Sequence, residues 1–158
     1  MKKGITVTIS AILGAIVGAA GTSYLKKHKT NTAPEKIDKF RGYYNLLNEW
    51  LILKQSGKSL ESYFIANEYN TIAIYGMGEV GLRLYEELKD SSICIRYAID
   101  KNDTQTYPEL DVLEIDDALE EVDVIVVSAI FAFDEIENEL KKRVNYPIVS
   151  LDEVIYEV

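Results

Sequence analysis

The stretch that most constrains the fold of this chain is Thr71–Gly81, TIAIYGMGEVG, a short apolar run that ends at three glycines. Its first half, Thr71–Tyr75, is rich in β-branched and aromatic residues and too short for a helix, so it predicts one buried strand. The glycines Gly76, Gly78 and Gly81 have the spacing G-x-G-x-x-G. This spacing predicts a tight turn, a close approach of the backbone to a ligand, and a helix that packs closely on the strand.

The residues after the glycines complete a nucleotide-binding pattern. A helix predicted over about Glu79–Lys89 has one apolar face, and its N-terminal amides would point at a pyrophosphate. The next predicted strand, Ile93–Ile99, ends at Asp100, nineteen residues after Gly81. An acidic residue at this distance is where a nucleotide ribose is bound. The combination favours a dinucleotide site, and the alternative is the same fold with an empty crevice.

The candidate ligand contacts come from the glycine turn and from the ends of two strands. The turn amides would hold phosphate and Asp100 the ribose, while Ser128 lies near the carboxyl end of a later strand, where ligands bind in open α/β sheets. No general base can be named to activate Ser128, so no catalytic residue is predicted. No cluster of His, Cys and acids has metal-ligand spacing, so no metal site is predicted. The candidates are Gly76, Met77, Gly78, Glu79, Val80, Gly81, Asp100, Lys101 and Ser128.

Two patterns on the first helix are interpreted as ordinary surface features. Tyr85 and Lys89 have the spacing of a catalytic tyrosine–lysine pair, but they lie directly after the glycine turn rather than beyond the middle of the sheet. Arg83 could neutralise a phosphate, yet it is equally placed to pair with Glu79 and Glu87 on the same helix. We favour the pairing, which predicts exposed ion pairs of about 0.3–0.5 kcal/mol each.

The remaining apolar runs predict the rest of one sheet. Strands are predicted at Val112–Ile115, Asp123–Ile130 and Pro147–Leu151, the second of them central and buried on both faces. Helices are predicted over about Asp116–Glu121 and Phe133–Val144. This alternation indicates an α/β fold with a single doubly wound, mostly parallel five-stranded Rossmann-type sheet, ordered 3-2-1-4-5.

A long amphipathic helix is predicted over Glu35–Ser56, ended by Gly57. Its wide apolar face needs a cover, either from the sheet or from the same helix of a second chain. An aromatic stripe at helical spacing is more typical of a core than of a ligand site, so we expect these side chains to be core. They are Ile37, Phe40, Tyr43, Tyr44, Leu46, Leu47, Trp50, Leu51 and Leu53.

Charge and cysteine content narrow the classes of partner. All 26 acidic residues lie after residue 30 and five of the 17 basic residues lie before it, which leaves residues 30–158 with 12 basic residues and a net charge of −14. Such an acidic surface argues against nucleic acid as a partner. The single cysteine, Cys94, cannot form an internal disulfide and is predicted to be a small core residue of a domain in a reducing compartment.

The amino-terminal end predicts a transmembrane helix. Gly4–Leu25 has no charged residue, and its 22 positions suffice at about 1.5 Å per residue to cross a hydrocarbon layer of roughly 30 Å. A cleaved signal peptide is the alternative, because two lysines precede the run and small residues lie around Gly18–Gly21. More basic residues follow the run than precede it, which favours a cytoplasmic domain. They are Lys26, Lys27, Lys29, Lys36, Lys39 and Arg41.

The sequence therefore divides into an anchor (1–25), a juxtamembrane linker (26–34), an amphipathic helical segment (35–70) and a nucleotide-binding domain (71–158). The spacing Gly14-x-x-x-Gly18 permits close approach of two membrane helices and so a homodimer, although glycine is also common in such helices. His28, in the linker, is interpreted as a charge at the membrane surface.

The run IAIYGMGEVGLRLYEELKDSSICIRYAIDKND resembles the Rossmann-type module that follows transmembrane helices in nucleotide-sugar dehydratases and epimerases of polysaccharide biosynthesis. It is also similar to the amino-terminal nucleotide-sugar-binding domain of sugar acetyltransferases. The resemblance covers Thr71–Asp103 well and Val124–Leu151 loosely. It implies a ligand class, with the three glycines as the glycine turn and Asp100 as the ribose-side acid. This chain contains neither the separate catalytic domain nor the acyltransferase repeat of those larger enzymes.

Three expectations about function follow. The first is a membrane-anchored, cytoplasmic module that binds NAD(P) or a nucleotide-sugar and acts as an accessory or regulatory subunit beside a partner enzyme in surface-polysaccharide synthesis, a role implied by the resemblance alone. NAD is preferred to NADP, because an acid at Asp100 disfavours the extra phosphate. The second is an oxidoreductase or epimerase completed by a partner chain. The third is a structural module with an empty crevice, whose interaction surface is the helix Glu35–Ser56.

Overall fold

The computed structural model describes residues 33–101 and 110–158. Within them the chain forms an α/β fold around one five-stranded sheet whose paired strands all run parallel. The compact body is Arg41–Val158, and the residues before Arg41 belong to a separate unit.

Strands and helices alternate along the chain, as a parallel sheet requires. The strands are β1 (Thr71–Tyr75), β2 (Cys94–Ile99), β3 (Val112–Leu113), β4 (Val124–Val127) and β5 (Ile148–Ser150). The helices are α1 (Ala33–Gln55), α2 (Glu61–Ala66), α3 (Glu79–Leu88), α4 (Phe133–Leu140) and α5 (Leu151–Tyr156), and a 3-10 turn, Ile130–Ala132, precedes α4.

The strand order is β3-β2-β1-β4-β5, which confirms the predicted order. The chain builds outward from β1 on one side and then returns to place β4 on the other, so the order reverses between β1 and β4. At the carboxyl end of the sheet Tyr75 pairs with Ile99 of β2 and with Val127 of β4. The segments that follow these three strands therefore lie side by side, at the point where open α/β sheets bind ligands.

Both faces of the sheet are covered, which is why the central strands are almost continuously apolar. Alternate residues of β1 point to opposite faces. Ile72 and Ile74 pack in a cluster that includes side chains from α1, α2, α3 and α5, whereas Ala73 and Tyr75 pack in a cluster that includes Ile136 of α4. Strand β4 is buried along its whole length, as its predicted central position requires.

Helix α1 packs on the body through a different face from the one expected. It ends at Gln55, two residues before Gly57, whose φ of +77° suits glycine and confirms the predicted end. Its buried side chains are those of Leu46, Trp50 and Leu53. The apolar stripe, defined here as Ile37, Phe40, Tyr44, Leu47 and Leu51, is exposed, so the prediction that these five are core was wrong. The two faces lie about 120° apart at about 100° per residue, and periodicity could not choose between them because both are apolar.

Two smaller predictions also fail. No helix forms over 116–121, where the described chain is irregular: the amide of Glu114 donates to the side chain of Asp117, and the amide of Asp117 donates back to the carbonyl of Glu114. This side-chain-to-backbone bond competes with a helix. Cys94 is exposed rather than core, because it is the first residue of β2 and only the last three residues of that strand are buried.

The predicted membrane anchor, Gly4–Leu25, and the linker up to residue 32, with His28, lie outside the described residues. The last two residues of the predicted linker, Ala33 and Pro34, belong to α1 instead. In the two described ranges, no helix combines the length and apolar character needed to cross a membrane.

Asp123 fixes the start of the central strand pair. Its Oδ2 accepts hydrogen bonds from the amide of Thr71 at 2.7 Å, the amide of Asn70 at 2.8 Å and the hydroxyl of Thr71 at 2.9 Å. These bonds favour the ionised carboxylate and lower the pKa of Asp123, the amide of Thr71 contributing most. The carboxylate therefore ties the beginning of β1 to the residue that precedes β4.

We expect Asp123→Asn to be less stable than the wild type at pH 7, by about 1 kcal/mol or less because the group is partly exposed to solvent. A lowered folded-state pKa stabilises the fold fully above the unfolded-state pKa of about 3.9, and this stabilisation is lost as the pH falls through the folded-state value. The gap between variant and wild type should therefore close below about pH 4. Urea unfolding at a series of pH values measures it, and a gap independent of pH would contradict the assignment.

Candidate functional site

The first glycine of the turn is required by backbone conformation. Gly76 has a φ of +91°, which side-chain-bearing residues rarely adopt. Its amide donates to the carbonyl of Ile99 at 2.8 Å, so the turn begins bound to the end of β2. A Cβ at this position would lie 2.8 Å from the Oγ of Ser128. Glycine here is explained by the fold alone.

The third glycine is required by packing. Gly81 is buried in the first turn of α3, and a Cβ built there would lie 1.8 Å from the carbonyl oxygen of Gly76. The helix thus crosses the turn at a distance that no side chain would allow, which confirms the predicted close packing of helix and strand. Glycine here is also explained by the fold alone.

The second glycine has no such explanation. Gly78 is exposed at the N-cap of α3, with a φ of −64° that any residue can adopt. A Cβ added to it would meet nothing within 4 Å. No side chain caps the helix at this end. The space in front of Gly78 therefore adjoins the first-turn amides of α3, which an α-helix leaves without backbone partners.

Asp100 lies against the turn, as its predicted role requires. Its Oδ2 accepts a hydrogen bond from the amide of Met77 at 2.7 Å, and the residue is partly exposed. The bond joins the end of β2 to the middle of the glycine turn and fixes the carboxylate beside it. The side chain of Met77 is 6% exposed and packs in the core, so a ligand would meet only its backbone, whose amide already serves Asp100.

Ser128 closes the base of the crevice between β1 and β4. Its hydroxyl donates to the carbonyl of Gly76 at 2.7 Å, and its amide donates to the carbonyl of Tyr75 at 2.9 Å. The side chain is 5% exposed. In this arrangement the hydroxyl of Ser128 holds the glycine turn in position and is itself engaged by the turn.

The other candidates are divided between the crevice and its surroundings. Glu79 is exposed at the start of α3, and Val80 is half-buried and packs on the core. The Nζ of Lys101 lies 3.8 Å from a carboxylate oxygen of Glu139. The side chain of Lys101 therefore points toward α4 and not toward α3, the helix that follows the glycine turn. With Glu79 and Asp100 both acidic, attraction for a phosphate must come from the amides of α3.

Glu87 forms a network that sequence reasoning missed. Its Oε2 accepts from the indole nitrogen of Trp50 at 2.6 Å, and its Oε1 accepts from the amide of Leu60 at 3.0 Å and lies 3.1 Å from the Nζ of Lys54. The carboxylate thus joins α3 to α1 and to the start of α2. The predicted pairing of Arg83 with Glu87 was wrong, because these partners take the carboxylate. The one available signal was the indole of Trp50, a donor that needs an acceptor when buried.

A cavity of about 350 Å³ lies beyond the carboxyl ends of β4 and β5. Three of its lining side chains are acidic, and the hydroxyl of Ser150 is hydrogen-bonded to the carboxylate of Asp152. An anionic ligand would be repelled by these three carboxylates. The lining residues are Ile130, Phe131, Ala132, Phe133, Asp134, Glu135, Ser150 and Asp152. Residues 33–101 and 110–158 hold no group of His, Cys, Asp and Glu suited to a metal ion.

Comparisons of the chain with models of protein families, with curated proteins and with solved structures found no match.

Proposed function

We propose that the chain is a Rossmann-type nucleotide-binding module, which takes NAD or a nucleotide-sugar at the glycine turn and acts by binding rather than by turnover. The phosphates lie on the first-turn amides of α3, in front of Gly78. The ribose hydroxyls bind the carboxylate of Asp100, which is held beside the turn by the amide of Met77. The position of the turn at the reversal of strand order supports this site.

The observation that carries the proposal is the difference among the three glycines. Gly76 and Gly81 are required by φ and by packing, whereas Gly78 has an ordinary φ and an added Cβ there would meet nothing within 4 Å. A ligand that approaches the backbone supplies the missing reason, because a side chain at Gly78 would occupy the position of its phosphates. Glycine is also a favoured N-cap residue, so the fold prefers glycine here, but it does not require it as it requires Gly76 and Gly81.

Binding without turnover is favoured by the chemistry of the crevice. The hydroxyl of Ser128 already donates to the carbonyl of Gly76, the described residues contain no histidine, and Cys94 lies at the opposite end of the sheet, at the start of β2. A nucleophile needs a base within hydrogen-bond reach. The enzyme alternative, an epimerase or dehydratase-like oxidoreductase, therefore depends on a partner chain that supplies the acid or base, and turnover of a nucleotide-sugar by the purified chain would favour it.

The cellular setting is part of the proposal. The uncharged run Gly4–Leu25 supports a membrane anchor, and the basic residues after it support a cytoplasmic domain. An accessory or regulatory role beside an enzyme of surface-polysaccharide synthesis rests on the resemblance of the glycine-turn segment to modules of that pathway.

A thermal-shift screen of the full chain against NAD, NADP, coenzyme A and several nucleotide-sugars tests the ligand class. A ligand at a hundred times its dissociation constant stabilises the folded state by about 2.7 kcal/mol. We expect NAD or a nucleotide-sugar to raise the melting temperature, and NADP to have a smaller effect because its extra phosphate would face Asp100.

Two variants locate the site on the chain. Gly78→Ile should lose the ligand-induced shift, since its side chain fills the open space, while the unliganded protein stays folded and is destabilised only by the loss of a favoured N-cap residue. Asp100→Asn keeps an acceptor oxygen for the amide of Met77 but loses the charge, and should weaken binding without unfolding the turn. A shift that survives Gly78→Ile would place the ligand elsewhere. The absence of a shift with every compound would leave a structural module.

A further inference from the structure

The exposed stripe on α1 has the spacing of a coiled-coil seam. Its members follow one another at intervals of three, four, three and four residues from Ile37 to Leu51, which is the repeat of a and d positions over two heptads. Such a seam is narrower than the face that a helix turns toward a globular core. The helix uses its other apolar face, around Leu46 and Trp50, for the core.

The stripe is exposed along its whole length. Phe40 is 77% exposed, Tyr44 63% and Leu51 54%. All five positions are uncharged, and the seam stops at Lys54, which pairs with Glu87 on the body. A solvated face would carry charge at some of these positions, whereas a surface that pairs with another helix excludes it.

We propose that α1 pairs along this stripe with α1 of a second copy of the chain. A seam of a and d positions fits a helix with the same repeat, and this chain supplies one. The exposed area of the five side chains is on the order of 600 Å² per chain, given 150–250 Å² for each aromatic. Two copies would bury about 1,200 Å², which reaches the range of specific interfaces. The pairing is independent of any ligand at the glycine turn.

The flanks of the seam are compatible with this pairing. Tyr43 and Trp50, on one side, pack on the chain's own body. Asn48 and Gln55, on the other side, are neutral, so no like charges meet beside Leu47 and Leu51. Arg41 is the charged residue on that side, beside Phe40 and Tyr44. The second helix therefore approaches from the side of Asn48, away from the body.

Cysteine cross-linking of the full chain in mild detergent tests the proposal. In a Cys94→Ser background, Tyr44→Cys places a thiol in the seam. Asn45→Cys places a thiol on the same helix but about 120° around the helix axis from the middle of the seam. We expect oxidation to link position 44 between chains at least tenfold faster than position 45. Adding Leu51→Glu should abolish that preference, because a carboxylate would be buried in the seam.

The matched control is Asn45→Glu, which adds the same charge to α1 outside the stripe and should leave cross-linking at position 44 and the mass of the dimer unchanged. Circular dichroism verifies that each variant is folded. A monomeric full chain would overturn the proposal. So would a dimer that links positions 44 and 45 equally, whose contact would lie elsewhere in the chain. A monomer that sediments with anionic lipid vesicles unless it carries Leu51→Glu would assign the stripe to a membrane surface.

Discussion

Replacing Gly81 by alanine is expected to lower the free energy of unfolding by about 3 kcal/mol, the upper end of the cost of overpacking a core. Alanine is the better helix former by about 1 kcal/mol, so propensity alone predicts the opposite sign. The clash decides, because the new Cβ would lie 1.8 Å from the carbonyl oxygen of Gly76. That carbonyl cannot yield easily, since it accepts the hydroxyl of Ser128 and belongs to a residue with a φ of +91°. Urea unfolding followed by circular dichroism measures the effect.

The matched control is Gly78→Ala, three residues earlier in the same turn. Its Cβ would meet nothing within 4 Å and its φ of −64° is ordinary, so the free energy of unfolding should fall by no more than about 1 kcal/mol, the cost of replacing a glycine N-cap by alanine. Equal stability of Gly81→Ala and Gly78→Ala would mean that α3 can move away from the turn. Packing would then not require glycine at position 81.

Replacing Glu87 by alanine is expected to lower the free energy of unfolding by about 3 kcal/mol. Hydrogen bonds to a charged acceptor contribute about 1.5–3 kcal/mol each, and the buried donors would lose their partner. The carboxylate is 8% exposed and serves the indole of Trp50, the amide of Leu60 and the ammonium of Lys54. The loss should loosen α1 first. Trp50 fluorescence should therefore shift to the red and change at a lower urea concentration than the circular dichroism of the sheet.

Glu86→Ala is the control for this experiment. Its carboxylate pairs with Lys89 at 2.7 Å, three residues away on the same helix, and both side chains are largely in solvent. Such pairs contribute about 0.2–1 kcal/mol, so the variant should differ little from the wild type. A small effect of Glu87→Ala, similar to that of Glu86→Ala, would show that water replaces the carboxylate and that α1 is held by apolar packing alone.

Most of the sheet could be predicted from local sequence because its strands are short, apolar and separated by turns. The run Thr71–Tyr75 ends at a glycine with positive φ, and Asp123 precedes the most apolar run, so both central strands were found. The strand order followed from the connectivity of parallel strands. The helix expected over 116–121 does not form, because the side chain of Asp117 accepts a hydrogen bond from the amide of Glu114 and closes a turn. A pattern of apolar residues does not reveal such a local bond.

The choice of buried face on α1 could not be predicted for a different reason. A pattern of apolar residues shows that a helix has an apolar face, but two such faces on one helix are ranked only by what packs against them. The face with Leu46 and Trp50 is the buried one, and the indole of Trp50 finds its acceptor there. That acceptor is Glu87 on α3, 37 residues further along the chain. Contacts over that distance in sequence are invisible in a local pattern.

For the candidate site, the spacing of residues in the sequence predicted which of them lie close together, but not which hydrogen bonds they form. Gly76, Gly81 and Asp100 gather as expected because strand ends and turns fix them. The bonds that Asp100 and Ser128 make to the turn depend on the register between β1, β2 and β4, which the sequence does not specify. The three glycines therefore differ in the space around each of them, which their spacing in the sequence does not show.

The sheet ends in unusually short strands at both sides. Among the described residues, β3 contributes Val112–Leu113 and β5 contributes Ile148–Ser150 to the two margins. A neighbouring molecule could form only a few ladder hydrogen bonds with either, too few to extend the sheet from one copy to the next. Short edge strands of this kind limit edge-to-edge growth of a sheet.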